Sequence, residues 1–293
     1  MENATSWLSL HLYSDLRDDL LLKEVLIDIL SITQAEWQSF FFVRYNIPSN
    51  HLRLRFKSNS QNELKDIIYS LMEKYHHIRD SKFGLLEVAY DPELIRYGGL
   101  IGIKIAEQQF YYSSTTALRC IKHAITSYQM SIVYAMRLHT IMLNEFSLCF
   151  SIDILAFCKY VFSRMTTSLN IALLLHSNVD ELWAKYVIRL EDDLSMPFLD
   201  SSVKTLTDDT IVIKIFQDWR DNMCEIGELV QTKLPINTFS DTHYNMQWDI
   251  ISDYIHMTNN RFGINNVDEP LIMCLIYQMF SKADISGEQI DTL

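Results

Sequence analysis

Short runs of alternating apolar and polar residues characterise the N-terminal part of the chain. The clearest is HLRLRFK at 51–57, where Leu52, Leu54 and Phe56 alternate with basic residues, among them His51, Arg53 and Arg55. A period of two is typical of a strand with one buried face. The run therefore predicts a strand whose apolar side packs on a core and whose basic side meets solvent or an anion. The simpler structural alternative is a solvated edge strand whose charges discourage aggregation.

The order of the neighbouring runs predicts a small α+β layer. Strand-like runs fall at 7–13, 40–45, 51–57 and 85–91, and helix-like runs fall at 16–32 and 61–77, which gives the order βαββαβ. The short connection NIPSN suits a hairpin, so the two strands that flank it are expected to pair antiparallel. Chains of this order form ferredoxin-like sheets with both helices on one face. We therefore expect an antiparallel ferredoxin-like sheet with its basic residues on the open face.

The pattern changes near residue 103. Beyond it the apolar residues have helical spacing, and Gly227 and Gly263 are the only glycines before 286. Helices are predicted at 104–125, 128–143, 147–175, 179–194, 208–233, 244–260 and 269–282, with a loop at 200–209. We expect an α+β protein in which residues 1–103 form the sheet portion. Residues 104–293 would form a helical portion packed on it, and the two would act as one functional unit.

Composition and charge indicate a folded protein that binds anions only locally. Of the 293 residues, 48% are hydrophobic, and the formal net charge is −12 at pH 7. Such acidity disfavours unspecific binding to nucleic acid or an anionic membrane. The five cysteines lack the spacing of metal ligands, and no secretory signal or uninterrupted membrane-spanning segment is evident. We expect a cytoplasmic protein with reduced cysteines, no metal site and no membrane span.

The segment YDPELIRYGGLIG at 90–102 follows the last predicted strand and carries residues suited to binding. Gly98 and Gly99 permit a tight turn or a close approach of the backbone to a ligand. Arg96 precedes them, and its guanidinium can bind a carboxylate through two parallel hydrogen bonds. An ordinary turn after a strand is the alternative interpretation.

The segment HMTNNRFG at 256–263 carries a candidate acid–base residue. In a helix, His256 and Asn260 lie one turn apart on the same face, with Arg261 beside them and Gly263 placed to end the helix. A histidine near the end of a helix can also be a structural residue or a favourable charge at the helix dipole. No further ligand lies at zinc spacing.

Together, HLRLRF, PELIRYGG and HMTNNRFG, in this order and at these spacings, resemble the glutamate-elimination domain of class I lanthipeptide dehydratases and the related thiopeptide-type bacteriocin biosynthesis proteins. In that family a separate, much larger module transfers glutamate from glutamyl-tRNA, and this chain is too short to contain it. The resemblance implies a free-standing enzyme of the second step, which acts on a ribosomally made precursor peptide. It also implies a separate tRNA-dependent glutamylating protein as partner, no direct contact with nucleic acid and no cofactor.

The resemblance further implies the site. The elimination residues of the family map to Arg53 or Arg55, to Arg96 and to His256, and the choice between the two strand arginines stays open. Five neighbouring residues are expected to contact the substrate: His51, Gly98, Gly99, Asn260 and Arg261. The chain departs from the family pattern at FYYSS (110–114), where Ser113 stands in place of an expected aspartate.

These residue types suit the elimination of glutamate from glutamylated Ser or Thr, which yields dehydroalanine or dehydrobutyrine. A histidine can remove the weakly acidic α-proton near neutral pH, and arginines can stabilise the departing carboxylate. Two alternatives remain open. Free-standing relatives include thiopeptide pyridine synthases, which join two dehydroalanines in a formal 4+2 cycloaddition and expel the leader peptide. The other alternative is a non-catalytic scaffold that docks the precursor peptide.

Overall fold

Four strands form one antiparallel sheet in the computed structural model of the protein, which describes residues 6–79, 81–150, 152–168, 210–234 and 246–286. The strands are β1 (Ser6–Ser14), β2 (Ser39–Tyr45), β3 (His51–Ser58) and β4 (Phe83–Glu87). They lie in the order β2-β3-β1-β4, which is the ferredoxin-like arrangement of a βαββαβ chain. The predicted α+β class and antiparallel sheet are confirmed.

The register of the strands collects apolar side chains on one face. Leu54 of β3 lies opposite Leu10 of β1 on one side and opposite Phe42 of β2 on the other, and all three are at most 1% exposed. Since side chains alternate along a strand, Arg53 and Arg55 lie together on the opposite face, where both are half-buried. The alternation in HLRLRFK thus separates a core face from a basic face, as predicted.

Two details of the prediction are wrong. β3 is an interior strand between β2 and β1, so the alternative of a solvated edge strand does not hold. His51 lies on the basic face but is only 3% exposed, because strand pairing brings Tyr13 and Tyr45 alongside its ring. The ring centroids of Tyr13 and His51 are 4.6 Å apart, and those of Tyr45 and His51 are 5.5 Å apart.

Two helical segments pack into the same hydrophobic core as the apolar face. The first, α1, runs through Asp18–Leu20, Leu21–Leu26 and Ile27–Ile32, and its middle part is π-helical. The second is α2 (Gln61–Arg79), which buries residues at steps of three and four: Leu64, Ile68, Met72 and Tyr75. The hydroxyl of Tyr75 donates a hydrogen bond to a carboxylate oxygen of Asp28, which joins the two helices.

Six further helices follow in the described part of the chain: α3 (Gly99–His123), α4 (Tyr128–Phe150), α5 (Ile154–Ser168), α6 (Thr210–Lys233), α7 (Met246–Phe262) and α8 (Glu269–Ser286). The break between α4 and α5 lies later than predicted, because the Asp153 carboxylate accepts the amide of Ala156 and so caps α5. The helix predicted at 179–194 and the loop predicted at 200–209 lie outside the described residues. Among the helices that are described, none combines the length and apolarity that a membrane span requires.

Side chains from two helices bond to the outer edge of β2. Ser114 of α3 accepts a hydrogen bond from the amide of Phe42 at 3.2 Å. Asn260 of α7 accepts from the amide of Arg44 at 2.8 Å and donates to its carbonyl at 2.9 Å. Because backbone groups left unpaired in a buried position are costly, these bonds satisfy the strand edge and hold α7 beside it. They also place His256, one turn earlier on α7, next to the sheet.

The Asn260 bonds generate a prediction about stability. Asn260→Ala leaves the amide and carbonyl of Arg44 without these partners, so we expect the free energy of unfolding to fall by about 1–3 kcal/mol. Urea denaturation followed by circular dichroism measures the change. Asn266→Ala is the matched control, since Asn266 is exposed, and we expect it to change stability by less than about 0.5 kcal/mol. Equal losses in the two variants would contradict the role of Asn260.

Candidate active site

A cleft of about 690 Å³ opens between α7, the start of α1 and the hairpin that joins β2 to β3. Its wall includes His256 and Asn260 from α7, Tyr45 and Arg44 from β2, and Asp18 from α1. Gly263 ends α7, as predicted, with a backbone φ of 72°. A side chain at this glycine would approach the Arg44 guanidinium to 3.2 Å, so the tight turn and the strand arginine fit together closely.

His256 is held at one ring nitrogen by a buried carboxylate. Its Nδ1 lies 2.9 Å and 3.1 Å from the two carboxylate oxygens of Glu269, the first residue of α8. Burial favours the neutral imidazole, but the hydrogen bond and the negative charge of Glu269 outweigh burial, and the net effect raises the pKa of His256. Nε2, the other ring nitrogen, has no hydrogen-bond partner among the described residues. The arrangement suits a base that uses Nε2.

Arg96 is bound to a carboxylate of the protein itself. Its Nε and Nη2 each lie 2.8 Å from an oxygen of Asp253, which is on α7 one turn before His256. Arg164 of α5 donates to the same carboxylate at 2.9 Å, and the side chain of Asp253 is only 2% exposed. Burial alone would raise the pKa of Asp253, but the hydrogen bonds and charges of Arg96 and Arg164 lower it. Asp253 is therefore an ionised carboxylate that ties the RYGG turn to α5 and α7.

Arg53 and Arg55 form a pair of guanidiniums that lack a carboxylate partner in the part of the chain that the structure describes. The guanidinium carbon of Arg53 lies 3.4 Å from the centroid of the Tyr45 ring. Burial, together with the positive charge of Arg53, lowers the pKa of Arg55 to about 10. The same face carries His11, whose pKa burial and the charges of Arg55 and Arg53 lower to about 4. An anion bound here would relieve a local excess of positive charge.

Two chains of contacts join this basic face to His256 and Arg96. Tyr45 lines the cleft that contains His256 and also carries the guanidinium of Arg53 on its ring. From Arg55, ring contacts run through Tyr90, Phe41, Phe110 and Tyr97 to Arg96. The positive charge of Arg96 in turn lowers the pKa of His256, opposite to the effect of Glu269. The three motifs, far apart in sequence, are thus linked through packed side chains, but Arg53, Arg55 and Arg96 do not themselves line the cleft that contains His256.

Four of the five residues expected to contact the substrate make structural contacts or form a turn in the protein itself. Asn260 is engaged with the edge of β2, and His51 is stacked between tyrosines. Gly98 and Gly99, with φ of 81° and 82°, form the left-handed turn before α3. Gly98 is the residue that precedes the first turn of α3, and Gly99 begins the helix.

Arg261, the fifth, is fully buried away from the cleft. Its Nε donates to the hydroxyl of Ser114 at 2.8 Å and its Nη1 donates to the carbonyl of Met257 at 2.7 Å. No carboxylate among the described residues pairs with it, and burial lowers its pKa to about 9. Arg261 thus connects α7 with α3.

Ser113 stands where the family pattern has an aspartate. Its hydroxyl donates a hydrogen bond to the carbonyl of Gln109 within the same helix.

Three residues of the site had little or no signal in the sequence. Asp253 precedes His256 by three positions, and this helical spacing was the one available signal. Glu269 lies 13 residues after His256, beyond a turn, and Arg164 lies on a different helix 89 residues before Asp253. Their contacts depend on how α5, α7 and α8 pack.

Three of the solved structures that this chain resembles match over nearly its whole length at low identity. The tRNA-dependent lantibiotic dehydratase MibB from Microbispora sp. 107891 matches with a TM-score of 0.69 and 17% identity, over 98% of this chain and 29% of that chain. TsrL matches with a TM-score of 0.58 and 16% identity, over 96% of both chains. TbtD, a pyridine synthase from thiomuracin biosynthesis, matches with a TM-score of 0.56 and 10% identity, over 96% of this chain and 99% of that chain. At these identities the likeness shows the fold alone.

This chain spans only 29% of the length of the MibB chain. The comparison with protein families also matches nearly all of this chain. No curated protein matches it. Residues 7–280 match the family described as lantibiotic biosynthesis dehydratase C-term, which includes the sheet and α3 to α7 together with most of α8. The chain therefore belongs to the lantibiotic biosynthesis dehydratase C-terminal family.

Proposed function

We propose that the protein eliminates glutamate from glutamylated Ser and Thr residues of a ribosomally made precursor peptide. The single observation that supports the proposal is that Tyr45 lines the same cleft as the acid–base side chain of His256 and carries the guanidinium of Arg53 on its ring. Within the described part of the chain, Arg53 and its neighbour Arg55 have no carboxylate partner. The family of the chain and its likeness to part of a tRNA-dependent lantibiotic dehydratase support the same reaction. A separate tRNA-dependent protein would supply the glutamylated peptide.

The reaction needs one base and one anion site. Nε2 of His256 takes the α-proton of the esterified residue, and the electron pair of that C–H bond forms the Cα=Cβ double bond. The bond between Cβ and the ester oxygen breaks, and glutamate leaves with the electron pair as a carboxylate. Arg53 and Arg55 stabilise the negative charge that grows on this leaving group, which favours the transition state over the ground state.

Arg96 has a narrower role in this proposal than the resemblance alone implies. Two of its donors are already bound to Asp253, and Nη1 lies 3.2 Å from Glu93. Its side chain is still 37% exposed, so its remaining donors and its charge are available to the substrate. We therefore assign Arg96 mainly to holding α7 and its histidine in position, with a secondary contribution to binding the glutamyl group.

Formation of a pyridine ring by 4+2 cycloaddition is the second candidate function. Two observations favour it. The match to TbtD covers both chains almost completely. In addition, Nε and Nη2 of Arg96 already bind the carboxylate of Asp253, so this pair of donors is not free to bind a glutamyl group. The cycloaddition gives Arg53 and Arg55 no role, since two dehydroalanines carry no carboxylate for these arginines to bind. The elimination reaction accounts for more of the site and remains our first choice.

One experiment separates these functions. Purified protein is incubated with a glutamylated precursor peptide and, separately, with a fully dehydrated one, and the products are identified by mass spectrometry. Elimination predicts loss of glutamate from the first peptide and no change in the second. Release of a leader fragment with pyridine absorbance from the second peptide alone would replace our proposal with the cycloaddition. If elimination survives the combined loss of Arg96 and His256, neither residue is catalytic. That result would favour the alternative in which this part of the protein only docks the precursor peptide.

Replacement of the base gives the most direct prediction. His256→Gln removes the proton acceptor, and a positioned general base typically contributes about 10²- to 10⁴-fold to a rate. We expect kcat/KM for elimination to fall by that factor, with glutamylated peptide accumulating. His123→Gln is the control, because His123 is exposed at the end of α3 and does not line the cleft. A loss below about threefold for His256→Gln would exclude it as the base.

The pH dependence of the reaction follows from the state of His256. A base must be neutral to accept a proton, and its pKa in the folded protein is raised above 6.5. We therefore expect kcat/KM to increase with pH through a midpoint above 6.5, as measured by initial rates across a buffer series. A midpoint well below this value would show that another group removes the proton.

The anion site predicts a graded effect of its arginines. Hydrogen bonds to charged groups contribute about 1.5–3 kcal/mol, so Arg53→Gln and Arg55→Gln should each lower kcat/KM by roughly 10- to 100-fold. Lys57→Gln is the matched control on the same strand and face, and it should have little effect. Steady-state kinetics with the glutamylated peptide measures all three. Unchanged kinetics in both arginine variants would remove the sheet face from the site.

A further inference from the structure

A buried carboxylate lies behind the proposed base. Both oxygens of Glu269 are within hydrogen-bond distance of Nδ1 of His256, at 2.9 Å and 3.1 Å, and the Glu269 side chain is 2% exposed. A buried carboxylate is costly unless it is bonded, and here the histidine supplies the bond. The imidazole side chain is itself 32% exposed, so the pair has one buried end and one end that reaches the cleft.

We propose that Glu269 is a positioning residue, which fixes the tautomer of His256 and stabilises the imidazolium that forms when the α-proton is taken. This inference rests on the proposed elimination and deepens it. A carboxylate accepts hydrogen bonds and does not donate them, so the proton of the neutral imidazole is held on Nδ1. The lone pair is then on Nε2, which has no partner among the described residues and is free to receive the proton.

The position of Glu269 in the chain supports the same role. It is the first residue of α8, where the backbone amides of a helix favour a negative charge. The charge is therefore stabilised from two sides, by His256 and by the end of the helix. Because α8 packs against α5, the carboxylate is fixed by a helix and not by a surface loop.

Several charged groups surround His256, and those that shift its pKa have opposing effects. Those on the elements around it are Glu269 on α8, Asp253 on α7 itself, Arg96 on the turn before α3, and Asp18 and Arg44 across the cleft. Glu269 and Asp253 favour the charged imidazole, whereas burial and Arg96 oppose it. Removing the charge of Glu269 leaves burial and Arg96 opposed mainly by Asp253, so the pKa of His256 falls.

The proton balance of the step is simple. The α-proton of the substrate moves to Nε2, the C–H electron pair becomes the new double bond, and the glutamate carboxylate carries away the electrons of the broken C–O bond. His256 then holds two ring protons and one positive charge, which Glu269 faces directly. After glutamate leaves, Nε2 returns the proton to water, and the Nδ1 proton stays on the bond to Glu269 throughout.

Glu269→Gln tests the proposal with almost no change in shape. The glutamine amide can donate to Nδ1 and so favours the wrong tautomer, and a comparable change behind a catalytic histidine costs about 10⁴-fold in serine proteases. We expect kcat for elimination to fall by about 10²- to 10⁴-fold with a nearly unchanged KM for the glutamylated peptide. Glu269→Asp keeps the charge and should recover part of the rate. Asp268→Asn is the matched control, since Asp268 is the preceding residue and bonds to Tyr128 instead of His256.

A second measurement does not depend on catalysis. Titration of the ring resonances of His256 by NMR should show a lower pKa in Glu269→Gln than in the wild-type protein or in Asp268→Asn. If the wild-type protein eliminates no glutamate but this shift is seen, the proposed function fails and the coupling of Glu269 to His256 stands. If Glu269→Gln leaves the titration and kcat unchanged, or if Asp268→Asn lowers kcat equally, the proposal about Glu269 is overturned. Thermal unfolding of each variant separates these effects from a loss of folding.

Discussion

The unpaired edge of β2 is the constraint on which the rest of the structure depends. An interior strand satisfies its backbone on both sides, but β2 has β3 on one side only, and the other side is covered by helices. Ser114 and Asn260 supply the missing hydrogen bonds, so α3 and α7 are fixed at the strand edge. Since His256 lies one turn from Asn260, the same contacts that complete the sheet also place the proposed base beside the edge of β2.

The buried Asp253 carboxylate extends this arrangement to the rest of the helical part. One ionised group of this kind is costly in the interior, and it is tolerated because two guanidiniums bond to it. Arg96 comes from the turn after the sheet and Arg164 comes from α5, so the bonds join three segments at one point. Removing either arginine would take away one of the two guanidiniums that bond to this carboxylate, which lies on the same helix as His256.

Local patterns predicted the elements well and their contacts poorly. The alternation at 51–57 and the spacing of Leu64, Ile68 and Met72 each report one buried face, which is a property of the element itself. His51 was expected to be exposed, yet Tyr13 and Tyr45 cover it, and only strand pairing brings these rings together. The last strand was predicted to reach residue 91 because VAY continues the apolar run, but β4 ends at Glu87 and Tyr90 packs on Trp7 and Phe41. Glu269 was missed because its contact with His256 depends on the packing of α8.

The arginines of the candidate site are of two kinds: those paired with carboxylates of the protein and those without such a partner among the described residues. Arg96 is paired with Asp253 and Glu93, and Arg164 is paired with Asp253 and Asp249, so both arginines contribute structure and little net attraction for an anion. Arg53 and Arg55 repel each other, and the described part of the protein offers them no carboxylate in compensation. On a chain with a net charge of −12, long-range attraction of an anion is weak, and binding must come from short contacts at these two arginines. In the proposed elimination, a leaving carboxylate would satisfy them most fully when its charge is complete, so their repulsion in the free protein would be relieved as the reaction proceeds and not beforehand.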